Sequence, residues 1–433
     1  MHHEVLSNGV HVFLYPLHEI KSVHMHVFAK GGSLMENPEK NGLAHFMEHM
    51  LLQGTPHFKN AHEISHYIET LAGSFNAYTN DREISFHVSL PYTYTKEAID
   101  LAYDIWFSST FPEDAFVKEK RAVLSEAAQR LDGLGYKLGK FGKDMRFKEG
   151  TKLRQFTIGL PEVIQKIQLE DTVNYWKQFF TTDNTYVLVI GNMDIEEVKK
   201  QIQATFGSVE KTSAPTLFTS ISGSDFAPSG VYINHDEKLQ SNYVDISIPS
   251  LPLETERRKL MTAGLATTIF GGLTSSRLQK VLRWEKGLVY GASIDSYAIP
   301  HLGETSCSTE MRSEQYYEAM ELMTDLLVEF MHKGPTDDEM AHAKQYIHDR
   351  RLMVFDEPSR IVGWFKHEFL WRDKIMMPEE TLEILKTITK EEVNAVLSEL
   401  NVSGAQIIQQ GPQADDAKLR GFLETQLTKI QAK

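Results

Sequence analysis

Two imidazoles one helical turn apart with a carboxylate beside them can hold a metal ion, and His45-Phe46-Met47-Glu48-His49 has that spacing. On a helix, positions i and i+4 share a face, so His45 and His49 can aim at one point. At about 100° per residue, Leu43, Phe46, Met47, Met50 and Leu51 form the opposite, apolar stripe, and Gly54 marks the stop. Two readings are open: the wet face of an amphipathic helix, or two zinc ligands with Glu48 next to them. A catalytic zinc needs a third protein ligand and one position left for water. Glu126 is the candidate, on a helix that carries Glu119 seven residues earlier and therefore on the same face. Glu48 is then free to take a proton from water, and Glu119 can hydrogen-bond a ligand and fix its orientation. The plain alternative for both glutamates is an exposed helix carboxylate. His24 and His26 alternate with Val23, Met25 and Val27 on a strand and read as packed or solvated residues rather than ligands.

Folded elements must bring these positions together. Val10 to Tyr15 and Val23 to Ala29 read as strands, followed by the motif helix and a second helix from His62 to Leu71. Ile84, Phe86, Val88 and Leu90 share one face of a further strand. The helix of Glu119 and Glu126 opens at Pro112, with Glu113 and Asp114 complementing its dipole. Between Gly133 and Arg154 the chain is basic and glycine-rich, which reads as loop and exposed helix. Tyr186 to Ile190 is a continuous apolar run, the mark of a central strand.

Residues 207–230 are rich in Ser, Thr, Pro and Gly and divide the chain into similar halves. Gly42-Leu43-Ala44-His45 is echoed by Gly264-Leu265-Ala266-Thr267, and Pro112-Glu113-Asp114 by Pro335-Thr336-Asp337-Asp338. The expected fold class is α+β: two homologous α/β-sandwich-like domains, each with a mixed, mainly antiparallel sheet and helices, related by duplication. Expected boundaries are 1–210 for a zinc-binding domain, 211–228 for a linker and 229–433 for a non-zinc domain. In this register Thr267 stands where His45 does and Asp349 where Glu126 does, so the second half lacks the metal set.

The segment from Gly31-Gly32-Ser33 through Glu36, with Gly42 to Leu51 and Gly54-Thr55, resembles the inverted-zincin signature of the pitrilysin/insulinase metallopeptidases. Those include the mitochondrial processing peptidase and many bacterial relatives. The family's third ligand follows the second histidine after 76 intervening residues, which lands on Glu126. The resemblance implies one zinc held by His45, His49 and Glu126, Glu48 as general base, and Glu119 behind the ligands. Gly73 to Thr79 resembles the edge strand that binds the substrate backbone, which implies roles for Asn76 and Ala77. Phe270 to Leu278 and Arg283 to Tyr290 resemble the family's glycine-containing loop and Arg/Tyr pair. Those two side chains are implied to hold the substrate carbonyl and stabilise the oxyanion. The chain departs from the pattern around Tyr136 to Phe156, where Lys and Arg replace a Pro- and aromatic-containing loop.

With 433 residues and 41% hydrophobic content the chain can bury two or more cores. A net charge of −14 argues against a nucleic-acid partner, and no run reaches the roughly 18 apolar residues of a membrane span. The single cysteine, Cys307, excludes an internal disulfide and fits a reducing compartment. With neither secretory nor organellar signal at the start, the expected location is the cytoplasm of a bacterium. The expected function is a zinc endopeptidase acting on short or unfolded peptides. Half-length family members pair to build a chamber, so a homodimer, or a heterodimer with an inactive homologue, is expected, with Arg283 and Tyr290 completing the partner's site. Two alternatives are a non-catalytic supporting subunit and a small-molecule lyase of the S-ribosylhomocysteine type. The intact ligand set argues against the first, the duplicated halves against the second.

Overall fold

The computed structural model describes residues 1–217, 220–372 and 375–432, so 218–219 of the expected linker lie outside the described residues. The first sheet contains β1 (His2–Val5), β2 (His11–Pro16), β3 (Ser22–Lys30), β4 (Ser74–Thr79), β5 (Glu83–Pro91) and β6 (Tyr186–Gly191). Its order is β1-β2-β6-β3-β5-β4, with only β2 and β6 parallel. The second contains β7 (Gly230–His235), β8 (Asn242–Pro249), β9 (Ala292–Ile299), β10 (Leu302–Met311) and β11 (Gln406–Gly411). Its order is β7-β11-β8-β10-β9, with only β7 and β11 parallel. Apart from β1, the two sheets have the same order, connection for connection. The fold is two mixed α/β domains with the marks of duplication.

In the first sheet, period-two alternation decides what lies on each face. Val23, Met25, Val27 and Ala29 of β3 join Ile84, Phe86, Val88 and Leu90 of β5 on the inner face. They pack there against Phe46, Met47, Met50 and Leu51 of the motif helix. Each such side chain contributes about 1.5–3 kcal/mol when fully buried, so this stripe fixes which way the motif helix turns its polar face. β6 is buried along its whole length, as its unbroken apolar run requires.

The expected boundaries treat each half as one uninterrupted stretch; the compact units are interleaved instead. One comprises Met1–Gly133, Gln155–Thr219 and Val354–Ile375, the other Leu134–Arg154, Ser220–Met353 and Met376–Lys433. In each half, the segment that follows the long acidic helix is handed to the other unit. The physical reason is burial of the sheets' second faces. In the first unit, helix Pro358–Trp371 covers that face, with Phe365 and Phe369 centred 4.2 and 5.2 Å from Phe13. In the second, the basic stretch expected as loop and exposed helix forms helix Leu134–Arg146, which packs on β11. Its Arg146 is mostly buried, 2.9 Å from Asp245 and 2.6 Å from Glu304.

Candidate active site

The motif helix, Leu43–Leu51, starts at Gly42, which offers no capping side chain and has φ 100°. A Cβ there would come within 3.0 Å of Gly159 Cα and 3.1 Å of Ile158 O, so both the conformation and the close approach call for glycine. The cap comes from upstream. The buried Glu36 carboxylate accepts hydrogen bonds from Gly42 N (2.9 Å), Ala44 N (2.5 Å) and Asn41 Nδ2 (2.7 Å). A negative charge on a helix N-terminus satisfies orphan N–H groups and opposes the dipole. Sequence reasoning missed this role; an acidic residue upstream of a helix without a cap residue was the available signal.

The helix turns His45, Glu48 and His49 toward Glu113–Asp132, the helix of Glu119 and Glu126. Glu126 Oε2 lies 3.6 Å from His45 Nε2 and 3.5 Å from His49 Nε2. One ligand atom from each of His45, His49 and Glu126 lies within 4.8 Å of the others, the only such group of three among the described residues. Glu119 Oε2 lies 3.0 Å from His49 Nδ1, and Arg130 donates to the other Glu126 oxygen at 2.8 Å. The face read as possibly wet is not: His45 is buried, and Glu48 and His49 are half-buried.

Burial, reinforced by the His49 charge, pushes His45 down to about 4, so this imidazole is neutral at physiological pH. For His49 burial acts in the same direction, but the Glu119 hydrogen bond and the surrounding carboxylates outweigh it and raise its pKa. Glu48 is raised, chiefly by burial, against the lowering effect of its hydrogen bond with Thr79. These residues fit a zinc ion. His45 Nε2, His49 Nε2 and one Glu126 oxygen converge on one point, and the Glu119 carboxylate at His49 Nδ1 leaves Nε2 as the ring atom facing a cation. Tetrahedral zinc bonds of ~2.0–2.1 Å place ligand atoms about 3.3 Å apart, close to both histidine–carboxylate separations.

β4 is the edge strand, paired only with β5 among the described residues. Ala77 N donates to Asn76 Oδ1 at 2.9 Å, and the Ala77 side chain is buried. At the end of β4, the Thr79 hydroxyl lies 3.5 Å from Ala44 O, so the strand borders the motif helix. Within the first unit, therefore, the edge, Glu48 and the three converging side chains are neighbours. His24 and His26 are not: His24 bonds Ser22 and Ser89, and His26 stacks on His87 at 4.9 Å on the second face.

Arg283 and Tyr290 belong to the second unit. Arg283 sits in Lys280–Glu285, a stretch of wide π-type helical turns, its guanidinium 4.8 Å from the Tyr290 ring. Tyr290 lies in the loop before β9 and is 85% exposed. The positions matching the ligands are occupied differently. Thr267 donates to Gly264 O at 3.0 Å, and Asp349 accepts from Gln345 at 2.9 Å.

Two family profiles match the chain: Insulinase (Peptidase family M16) over residues 12–132, and Peptidase M16 inactive domain over 166–347. An "uncharacterized zinc protease" of Rickettsia bellii (strain RML369-C) is 26% identical over 413 residues, covering 94% of this chain and 96% of that one. The mitochondrial-processing peptidase subunit beta of Dictyostelium discoideum is 24% identical over 423 residues, covering 91% and 85%. The solved structure of a protease from Helicobacter pylori superposes with a TM-score of 0.84 at 18% identity, covering 95% of this chain and 99% of that one. At that identity the likeness carries the fold alone.

Proposed function

From its place in peptidase family M16, the insulinase family to which this chain belongs, we propose that it is a zinc endopeptidase acting on short or unfolded peptides. The observation that supports this most is the convergence of His45, His49 and Glu126, with Glu119 behind His49 and Glu48 beside them. In this reading His45, His49 and Glu126 hold the metal, which when bound makes water nucleophilic near neutral pH and polarises a carbonyl. Glu48 takes the proton from the attacking water and delivers it to the leaving amine; a carboxyl raised by burial suits both transfers. Glu119 fixes the His49 tautomer. The free edge of β4 at Asn76 and Ala77 receives an extended substrate as an added strand, which selects for extension more than for sequence.

Arg283 and Tyr290 supply donors for the charge that develops on the substrate carbonyl. We further propose that they serve the site of a second subunit, so that a homodimer builds the chamber. A cytoplasmic setting is part of this proposal; the single buried Cys307 fits a reducing compartment without requiring one.

The test is direct. Glu48→Gln should keep zinc and lose hydrolysis of a quenched peptide library; retained activity in that variant removes Glu48 from its role. Mixing Glu48→Gln chains with Arg283→Ala chains should restore activity above either parent if sites are shared across subunits. No gain on mixing sinks the shared site. A purified chain that binds zinc but cleaves nothing in the library would favour the supporting-subunit reading instead.

A further inference from the structure

We propose that Trp284 is a positioning residue for Arg283, an inference that rests on the reading in which Arg283 engages the substrate. The Arg283 guanidinium lies 4.6 Å from the Trp284 ring centre and 4.8 Å from the Tyr290 ring centre. Beyond these two rings, the described residues give it neither a carboxylate nor a carbonyl partner. Arg146, Arg258 and Arg277, by contrast, are tied to carboxylates. Arg283 therefore keeps its N–H donors for something outside its own unit.

The two rings are not core residues. Trp284 is 61% exposed and Tyr290 85%. Consecutive residues on a helix do not ordinarily face each other. Here the Trp284 indole N–H donates to Thr274 O at 2.9 Å, which anchors an exposed ring beside its neighbour's guanidinium. Stacking on an aromatic face leaves the in-plane N–H groups of an arginine free, and it narrows the orientations that binding must otherwise freeze. The arrangement is that of a donor fork held ready for a carbonyl or carboxylate. Trp284 touches Arg283 and fixes it; it need not touch the substrate.

The experiment is a double-mutant cycle on the full-length, zinc-loaded protein, with a peptide series that varies the side chains around the cut. Trp284→Ala should lower kcat/KM about 3- to 30-fold, the range expected for a cation–π contact. The loss should be similar for every peptide, and Trp284→Phe, which keeps a ring but lacks the bond to Thr274, should recover part of it. In an Arg283→Ala background, Trp284→Ala should cost nothing further. Thermal unfolding of each variant guards against a merely structural loss. Losses that add in the double variant overturn the inference while leaving Arg283 in place. So does a loss that tracks the peptide side chains, which would make Trp284 a direct subsite. Full activity in Arg283→Ala removes the underlying reading, and the inference with it.

Discussion

The two units share one sheet order yet differ in what they ask of their first helix. In the first unit that helix is nine residues long, begins at Gly42 under the Glu36 carboxylate and carries His45, Glu48 and His49. In the second, Arg257–Thr267 begins well before Gly264, is tied down by Arg258 to Glu392, and then widens into π-type turns over Thr268–Gly272. Both pack apolar residues on their sheets, so neither fold depends on the metal set. What they share is the exchange. Each receives a helix from the other half that places a cation on a buried glutamate of equivalent strands: Lys366 on Glu83 of β5, and Arg146 on Glu304 of β10. The candidate site thus sits on a scaffold whose stability is provided elsewhere.

The largest effect expected from breaking this comparison is at Glu126. Glu126→Ala removes one of three converging ligand atoms, and zinc content and peptide hydrolysis should both fall by about a thousandfold or more. Asp349→Ala, at the matching place in the second unit, should leave both unchanged. Measuring zinc by mass or absorption spectrometry beside a peptide assay decides it. An Asp349 variant that loses zinc would show that the units are not specialised as described.

How much of this could be read from the chain follows from what each feature depends on. The convergence of His45, His49 and Glu126 was legible because a helix fixes the geometry of His45 and His49 by spacing alone, and Glu119 and Glu126 inherit theirs from two turns of another helix. The central strand β6 was legible from its unbroken apolar run. The exchange of Leu134–Arg154 and Val354–Ile375 was not, because amphipathic periodicity says that a face is buried without saying against which sheet. Nor was Glu36, whose three donors come from a turn whose shape depends on Gly42 and its approach to Gly159.

The next effect is on stability and tests the shared half of the comparison. Lys366 Nζ lies 2.7 Å from Glu83 Oε1, and both side chains are largely buried. Burial pushes Glu83 up to about 7, against the Asn80 hydrogen bond and the Arg82 charge, and burial pushes Lys366 down to about 7. Lys366→Met leaves Glu83 with Tyr78 and Asn80 as donors but without its contacting cation, only the Arg82 charge remaining nearby. The expected loss is about 3–5 kcal/mol in denaturant unfolding, partly recovered by adding Glu83→Gln. The sign with pH follows from Glu83. Its folded pKa then lies above the unfolded value of about 4.3, so folding takes up a proton. Parent and variant both lose stability between about pH 4 and 7, where folded Glu83 stays protonated, so the deficit should open above about pH 7 and widen up to the variant's still higher Glu83 pKa. A deficit that shrinks with rising pH would mean Glu83 is not the group left unpaired. Arg146→Met should destabilise the second unit by the same logic.

The smallest effect sharpens the difference between the units at one hydrogen bond. Glu119 accepts from His49 Nδ1 at 3.0 Å, whereas the residue in its place by register, His342, bonds Ser275 at 3.1 Å. The same helical position thus supports His49 in one unit and a loop in the other. Glu119→Gln can keep an oxygen at that site, so the His49 tautomer is retained, but the negative charge that strengthens the ring as a donor is lost. Zinc affinity should fall about 10- to 100-fold, read by competition with a chromophoric chelator, while hydrolysis at saturating zinc falls much less. Ser275→Ala, which breaks the counterpart bond, should leave zinc affinity where it was. If Glu119→Gln binds zinc as tightly as the parent, then the carboxylate behind His49 is packing, and the specialisation of the first unit stops at the three ligands and Glu48.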